Sequence, residues 1–146
     1  SQISIQPYES STSIPASIVA IAPEMDLAVL QLQNASPLED VEPPSLLESV
    51  PTVRSTVQVY GYPTGGSSQS VTEGIVSRIE YRSYKYGATG LRIQIDAALN
   101  AGNSGGPAVV DDKVVGVVYS RLSSSDNIGY LIPGEEIQTF LDDVED

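Results

Sequence analysis

The chain has 146 residues, 40% of them apolar, with no cysteine, no histidine and a formal net charge of −12. Disulfides, thiol chemistry and the commonest metal ligand are excluded for these residues, and binding along a nucleic acid or an anionic membrane is disfavoured, because it needs clustered Lys and Arg. No apolar run approaches the ~18 residues of a membrane span, and Ser1 opens on a strand-like pattern rather than a signal peptide.

Short β-rich runs separated by turn residues predict an all-β protein. The predicted strands are Ile3 to Gln6, Ala16 to Ile21, Leu27 to Leu32, Thr56 to Gly61, Ser70 to Arg82, Leu91 to Ile95, Gly106 to Val110, Lys113 to Ser120 and Ile128 to Ile132. Asp111 and Asp112 suit a tight hairpin turn between two of them. Asn34 opens a sequon that Pro37 follows, and it reads as loop sequence. From Gln33 to Ser55 the chain is rich in proline and acid, which predicts an extended linker, because proline removes ladder donors. Three strands precede this linker and six follow it. Six antiparallel strands can close a small barrel and three cannot, so the first unit is expected to be incomplete. After Pro133, Gly134 and two acids suit a helix N-terminus, and Ile137, Phe140, Leu141 and Val144 follow at helical spacing. The expected organisation is a first, partial barrel plus linker over 1–55, a barrel over 56–133 and a terminal helix over 134–146. The acids of Leu141 to Asp146 read as a solvated helix end.

One stretch carries chemistry: "DAALNAGNSGGPAVV", Asp96 to Val110, sets Ser104 among glycines with an apolar run behind it. Its hexapeptide "GNSGGP", Gly102 to Pro107, admits three readings. In the first, the glycines only supply positive φ for a turn, and the serine bonds locally. In the second, Gly102, Ser104 and Gly106 satisfy the G-x-S-x-G elbow of α/β-hydrolases, which requires a helix directly afterwards; here a proline and a β-hairpin pattern follow instead. The third is a nucleophile loop for acyl transfer, which needs a hydroxyl flanked by backbone N–H groups that converge on the developing oxyanion, and glycine permits that approach.

The third reading gains weight from four motifs in order. "DLAVLQL" (Asp26 to Leu32), "GYPTGGSSQSVTEGIVSRI" (Gly61 to Ile79), "DAALNAGNSGGPAV" and "NIGYLIP" (Asn127 to Pro133) together resemble the protease domain of the HtrA/Deg serine endopeptidases, across nearly the whole chain. The wording is most similar to Deg-type enzymes of plants and their bacterial relatives. The resemblance implies a chymotrypsin-like two-barrel fold with Ser104 as nucleophile and Asp26 as the carboxylate that orients a histidine. It implies an oxyanion hole from Gly102 and Ser104, with Asn103 between them, and a primary pocket walled by Ala98, Leu99, Asn100, Ala101 and Ser120 and closed by Ile128 and Gly129. No acid is evident in that pocket, so small or medium aliphatic side chains are expected, and a Lys or Arg would be left unpaired. Asp96 is expected to fix the serine loop rather than take part in chemistry.

The base is missing from the sequence. The family's histidine lies further upstream of its aspartate than the 25 residues that precede Asp26, so the expectation is a histidine and the remaining strands of the first barrel just before Ser1. Two alternatives stay open: a lysine base, although neither Lys113 nor Lys85 is placed to reach Ser104, and a pseudoenzyme that keeps the fold as a scaffold or peptide-binding module. The resemblance also implies unfolded or damaged protein substrates, assembly as trimers or larger cages, an adjacent peptide-binding PDZ domain, and an extracytoplasmic or organellar setting. No cofactor or metal is implied. Tyr81, Tyr84 and Tyr86 in "YRSYKYG" read as an exposed hairpin end or as a contact with a neighbouring subunit.

Overall fold

A computed structural model of the chain describes residues 2–47, 49–62, 68–83, 89–99, 101–121 and 128–145. They form two compact units, Ser1–Pro43 and Pro44–Asp146.

In the first unit β1 (Ile3–Ile5), β2 (Ile14–Ala22) and β3 (Leu27–Leu32) form an antiparallel sheet in the order β1-β2-β3. Their β-branched and aliphatic residues suit a pleated surface. Ile14 and Ala22, at the two ends of β2, are buried, whereas Ile18, Val19, Ile21 and Leu30 remain exposed. Between β2 and β3 the chain turns through Pro23 to Asp26, closed by Met25 N–H donating to Ala22 O at 3.0 Å and Asp26 N–H to Pro23 O at 3.2 Å.

The second unit is a closed six-stranded barrel built from β4 (Thr56–Gly61), β5 (Ser70–Ser83), β6 (Thr89–Asp96), β7 (Pro107–Val110), β8 (Lys113–Arg121) and β9 (Ile128–Pro133). Its strand order is β4-β5-β6-β9-β8-β7, antiparallel throughout, and β4 meets β7 through Gln58↔Val109 and Val59↔Ala108. Alternation sends Val57 and Val59 of β4 and Ile93 and Ile95 of β6 inward, where Val76, Ala108, Val115, Val118 and Leu131 meet them. Register shifts in β5, β7 and β8 bend the strands as closure requires. The β7–β8 turn is made by Asp111 and Asp112 at φ 49° and 64°, the left-handed pair that a two-residue hairpin demands.

One feature differs from the expected organisation. Residues 44–55 are not a free linker. Leu47 N–H donates to Val114 O at 2.8 Å, Val114 N–H to Ser45 O at 2.9 Å, and Arg54 N–H to Val76 O at 2.8 Å, so this stretch lies along the barrel and the division between compact units falls at Pro43/Pro44 instead of at 55/56. Prolines forbid a ladder within the segment, but they leave its other N–H and C=O groups available to barrel strands. Arg92 is a feature for which the sequence sets no expectation. It points out of the barrel between Ile93 and Leu91, yet it is fully buried, because α1 (Gly134–Glu145) covers it. The Arg92 guanidinium pairs with Glu136 of α1 at 2.5 Å and lies 4.7 Å from the centre of the Tyr119 ring. The same carboxylate accepts from Leu91 N–H at 3.1 Å. Phe140, 8% exposed, anchors the apolar side of the helix.

Candidate active site

Between β6 and β7 the chain makes a 3-10 turn over Ala101–Asn103 and then presents Ser104 at the surface. Gly106 N–H donates to Asn103 O at 2.9 Å, and Gly105 has φ +85° with open space where a Cβ would stand. A bond from the fourth residue to the first with positive φ at the third is the signature of a type II turn, which places Ser104 at its second position and requires glycine at its third. The turn is clamped to β8, since Gly105 N–H donates to Val118 O at 2.7 Å and Val118 N–H returns to Gly106 O at 3.0 Å. On its other flank Tyr62 N–H, just beyond β4, donates to Gly102 O at 3.2 Å. The hydroxyl is therefore carried by a short backbone arch tied to β4 on one side and β8 on the other.

Gly102, Asn103 and Ser104, the residues expected to form an oxyanion hole, follow one another directly, Gly102 and Asn103 within the 3-10 turn and Ser104 just after it. Asn103 is fully buried, and neither its Oδ1 nor its Nδ2 has a hydrogen-bond partner. Asp26 lies in the other compact unit, directly before β3. It is exposed and has φ +59°, a left-handed conformation that Asp tolerates better than most residues. Asp96 ends β6, is exposed, and pairs in register with Ile75 and Ile128.

The pocket residues separate. Leu99, 6% exposed, belongs to the barrel core and not to an open wall, because the chain leaving β6 dips inward before it reaches the 3-10 turn. Ala98 is exposed, Ile128 half-buried and Gly129 buried. Asn100 lies outside the described residues, as do Lys85, Tyr84, Tyr86 and 122–127, while for Ala101 and Ser120 the backbone alone is described. Tyr81 is 80% exposed. Lys113 starts β8 at the Asp111–Asp112 turn, at the opposite end of β7 from Ser104. A cavity of about 530 Å³ opens beside Ser104 and runs over Tyr60, Tyr62, Pro107, Val109 and Val114. Gly61 and Tyr62 carry no site role in the sequence reading; the signal available there was the "GYP" that ends the β4 pattern. Among the described residues no group of acids forms a candidate metal site, and no helix is long and apolar enough to cross a membrane.

The Trypsin-like peptidase domain family matches residues 2–117. Protease Do-like 4, mitochondrial, of Arabidopsis thaliana is 46% identical over 145 residues, which is 99% of this chain and 28% of that protein. The serine protease DegP homolog of Plasmodium falciparum is 40% identical over 144 residues, 98% of this chain and 16% of that one. The chain thus spans well under a third of the length of these relatives. Among solved structures, the HtrA-type protease AlgW with decapeptide superposes with a TM-score of 0.82 at 26% identity, covering 98% of this chain and 44% of the other.

Proposed function

The chain belongs to the trypsin-like peptidases, in their HtrA or Do-like branch, and on that premise we propose that it is the nucleophile-bearing part of a serine endopeptidase acting on unfolded or damaged proteins. The observation that carries this reading is the surface position of Ser104 on a glycine arch held from both sides by backbone hydrogen bonds.

In the proposed reaction Ser104 Oγ attacks the scissile carbonyl carbon while a base takes its proton, and the carbonyl oxygen becomes the oxyanion. Collapse expels the amine, which receives the proton, and water then hydrolyses the acyl-enzyme by the reverse sequence. The Gly102 and Ser104 N–H groups are the oxyanion donors, each accounting for ~2.7 to 4 kcal/mol of barrier. A 3-10 turn directs its N–H groups back along its own axis, so stabilisation of the developing oxyanion includes rotation of the peptide before Gly102, where glycine offers the least resistance. Asp26 orients the imidazolium, and the histidine comes from outside these 146 residues, which contain none. Alone, the chain is inactive. Ala98, Ile128 and Gly129 are assigned to the acyl side, which favours cleavage after small aliphatic residues. By likeness to the Do-like relatives, whose names place several in mitochondria or chloroplasts, the setting is organellar and the working form an oligomer.

Fluorophosphonate labelling tests the assignment. The 146 residues preceded by the histidine-bearing segment of a Do-like relative are expected to be labelled at Ser104, and the chain alone is not. Strong labelling of the chain alone would move the base to a lysine, and no labelling of the folded extended protein would favour the scaffold reading. Cleavage sites mapped by mass spectrometry on a casein substrate test the pocket, where a preference for Lys or Arg would refute it.

A further inference from the structure

A buried amide that spends none of its bonding capacity costs stability, on the order of 1 to 3 kcal/mol for each unsatisfied group, and Asn103 holds two such groups at zero exposure. An apolar side chain of the same size would avoid that cost. Such a group in a folded protein calls for an account in terms of stored strain or function.

Its surroundings supply one. A Cβ on Gly61 would overlap Asn103 Oδ1, and it would stand 2.9 Å from Gly102 O and 3.0 Å from Asn103 Cα. The missing side chain at the end of β4 is thus the space in which the Asn103 amide and the peptide before it lie. Tyr62 N–H, the next donor along, holds Gly102 O at 3.2 Å, and Gly106 N–H holds Asn103 O at 2.9 Å. In a trans peptide the N–H is opposite the carbonyl, so these two bonds fix the Asn103 N–H and Ser104 N–H directions, the latter a proposed oxyanion donor.

We propose that Gly61 and Asn103 are positioning residues for the nucleophile turn: Gly61 provides the seat, and Asn103 keeps its amide unpaired in the resting turn so that it gains a partner when the peptide before Gly102 rotates to meet the developing oxyanion. The inference rests on the peptidase reading and deepens it. Resting-state cost is then relieved in the transition state, and the interaction raises kcat without tightening ground-state binding.

The test uses the histidine-bearing extended protein and a peptide substrate. Gly61→Ala is expected to lower kcat by ~10² to 10³-fold, the effect of losing one oxyanion donor, with KM within about threefold of the parent. Should that variant fold poorly, Asn103→Leu keeps the inference testable. Its expected result is a melting temperature equal to or above the parent together with a fall in kcat of at least ~10-fold at unchanged KM, a split that a purely structural role would not produce. Parent-like kcat in Asn103→Leu, or a kcat that falls only in step with stability, overturns this inference alone. An unsubstituted extended protein that folds and shows no turnover overturns the peptidase reading and this inference with it.

Discussion

Replacing Glu136 by Ala should be among the most damaging single changes to the barrel unit, although the residue sits in a helix that the catalytic reading does not use. Its carboxylate is the 2.5 Å partner of a guanidinium with no exposure, while its own side chain keeps 19%. Removing one member of a buried pair costs ~3 to 5 kcal/mol. The bond from Leu91 N–H to the same carboxylate is lost as well, worth ~1 kcal/mol. Because the Glu136 side retains some water, the lower end applies, ~3 kcal/mol, and for a unit of this size that lowers the melting temperature by roughly 12 to 24 °C. Arg78–Glu80 offers an internal control: at 2.8 Å the pair is well formed, but its side chains are 60% and 23% exposed, so Arg78→Ala should cost under ~1 kcal/mol. Differential scanning calorimetry on both variants makes the comparison. If both lose the same small amount, burial is not what gives the Arg92–Glu136 pair its weight. A double change of Arg92 and Glu136 to Met should recover most of the loss, since an apolar replacement of a buried pair is often neutral; a double variant as unstable as Glu136→Ala would refute the charge argument.

Ser104→Ala in the extended protein should abolish fluorophosphonate labelling and reduce peptide turnover to the residual ~10³ to 10⁴-fold acceleration of binding and oxyanion stabilisation. Because Ser104 is exposed, its melting temperature should stay close to the parent's, and a large drop would mean the hydroxyl supports the fold. Gly105→Ala meets no steric obstacle but must adopt φ +85°, so a strain of ~1 to 2 kcal/mol is expected in denaturant melts; no loss would mean the turn relaxes to another type. Gly74→Ala is expected to be worse, since its Cβ would overlap the Asp96 carbonyl across the β5–β6 pair, and a soluble variant with parent stability would refute that packing.

The nine strands of the described residues were legible because alternating β-branched residues and turn residues punctuate the chain, and the split of three before and six after the proline-rich stretch matches an open sheet in one unit and a closed barrel in the other. The serine arch was legible because glycine and proline dictate its backbone. Three features were hidden. Arg92 alternates with Ile93 as a solvent-facing charge would, and only the return of a helix from forty-odd residues later, through Glu136, encloses it. Leu99 adjoins the serine loop in sequence, but the bend after β6 takes it into the core. The association of 44–55 with the barrel depends on which carbonyls β8 and β5 leave unpaired, a fact of register that local composition does not encode.

The barrel seam between β4 and β7 has a consequence for how the molecule assembles. Its two register pairs, Gln58↔Val109 and Val59↔Ala108, join segments separated by the whole of β5 and β6, so their closure carries a larger chain-entropy cost than any hairpin in the unit. The arch bearing Ser104 leads directly into β7, and its bonds run to Tyr62 beyond β4 and to Val118 on β8. With the hairpins formed and the seam open, every strand of the unit could be present and the geometry of the serine arch still be lacking. Formation of the serine arch is thereby tied to the most non-local contacts of the unit, the class of contact that topology makes slow to form.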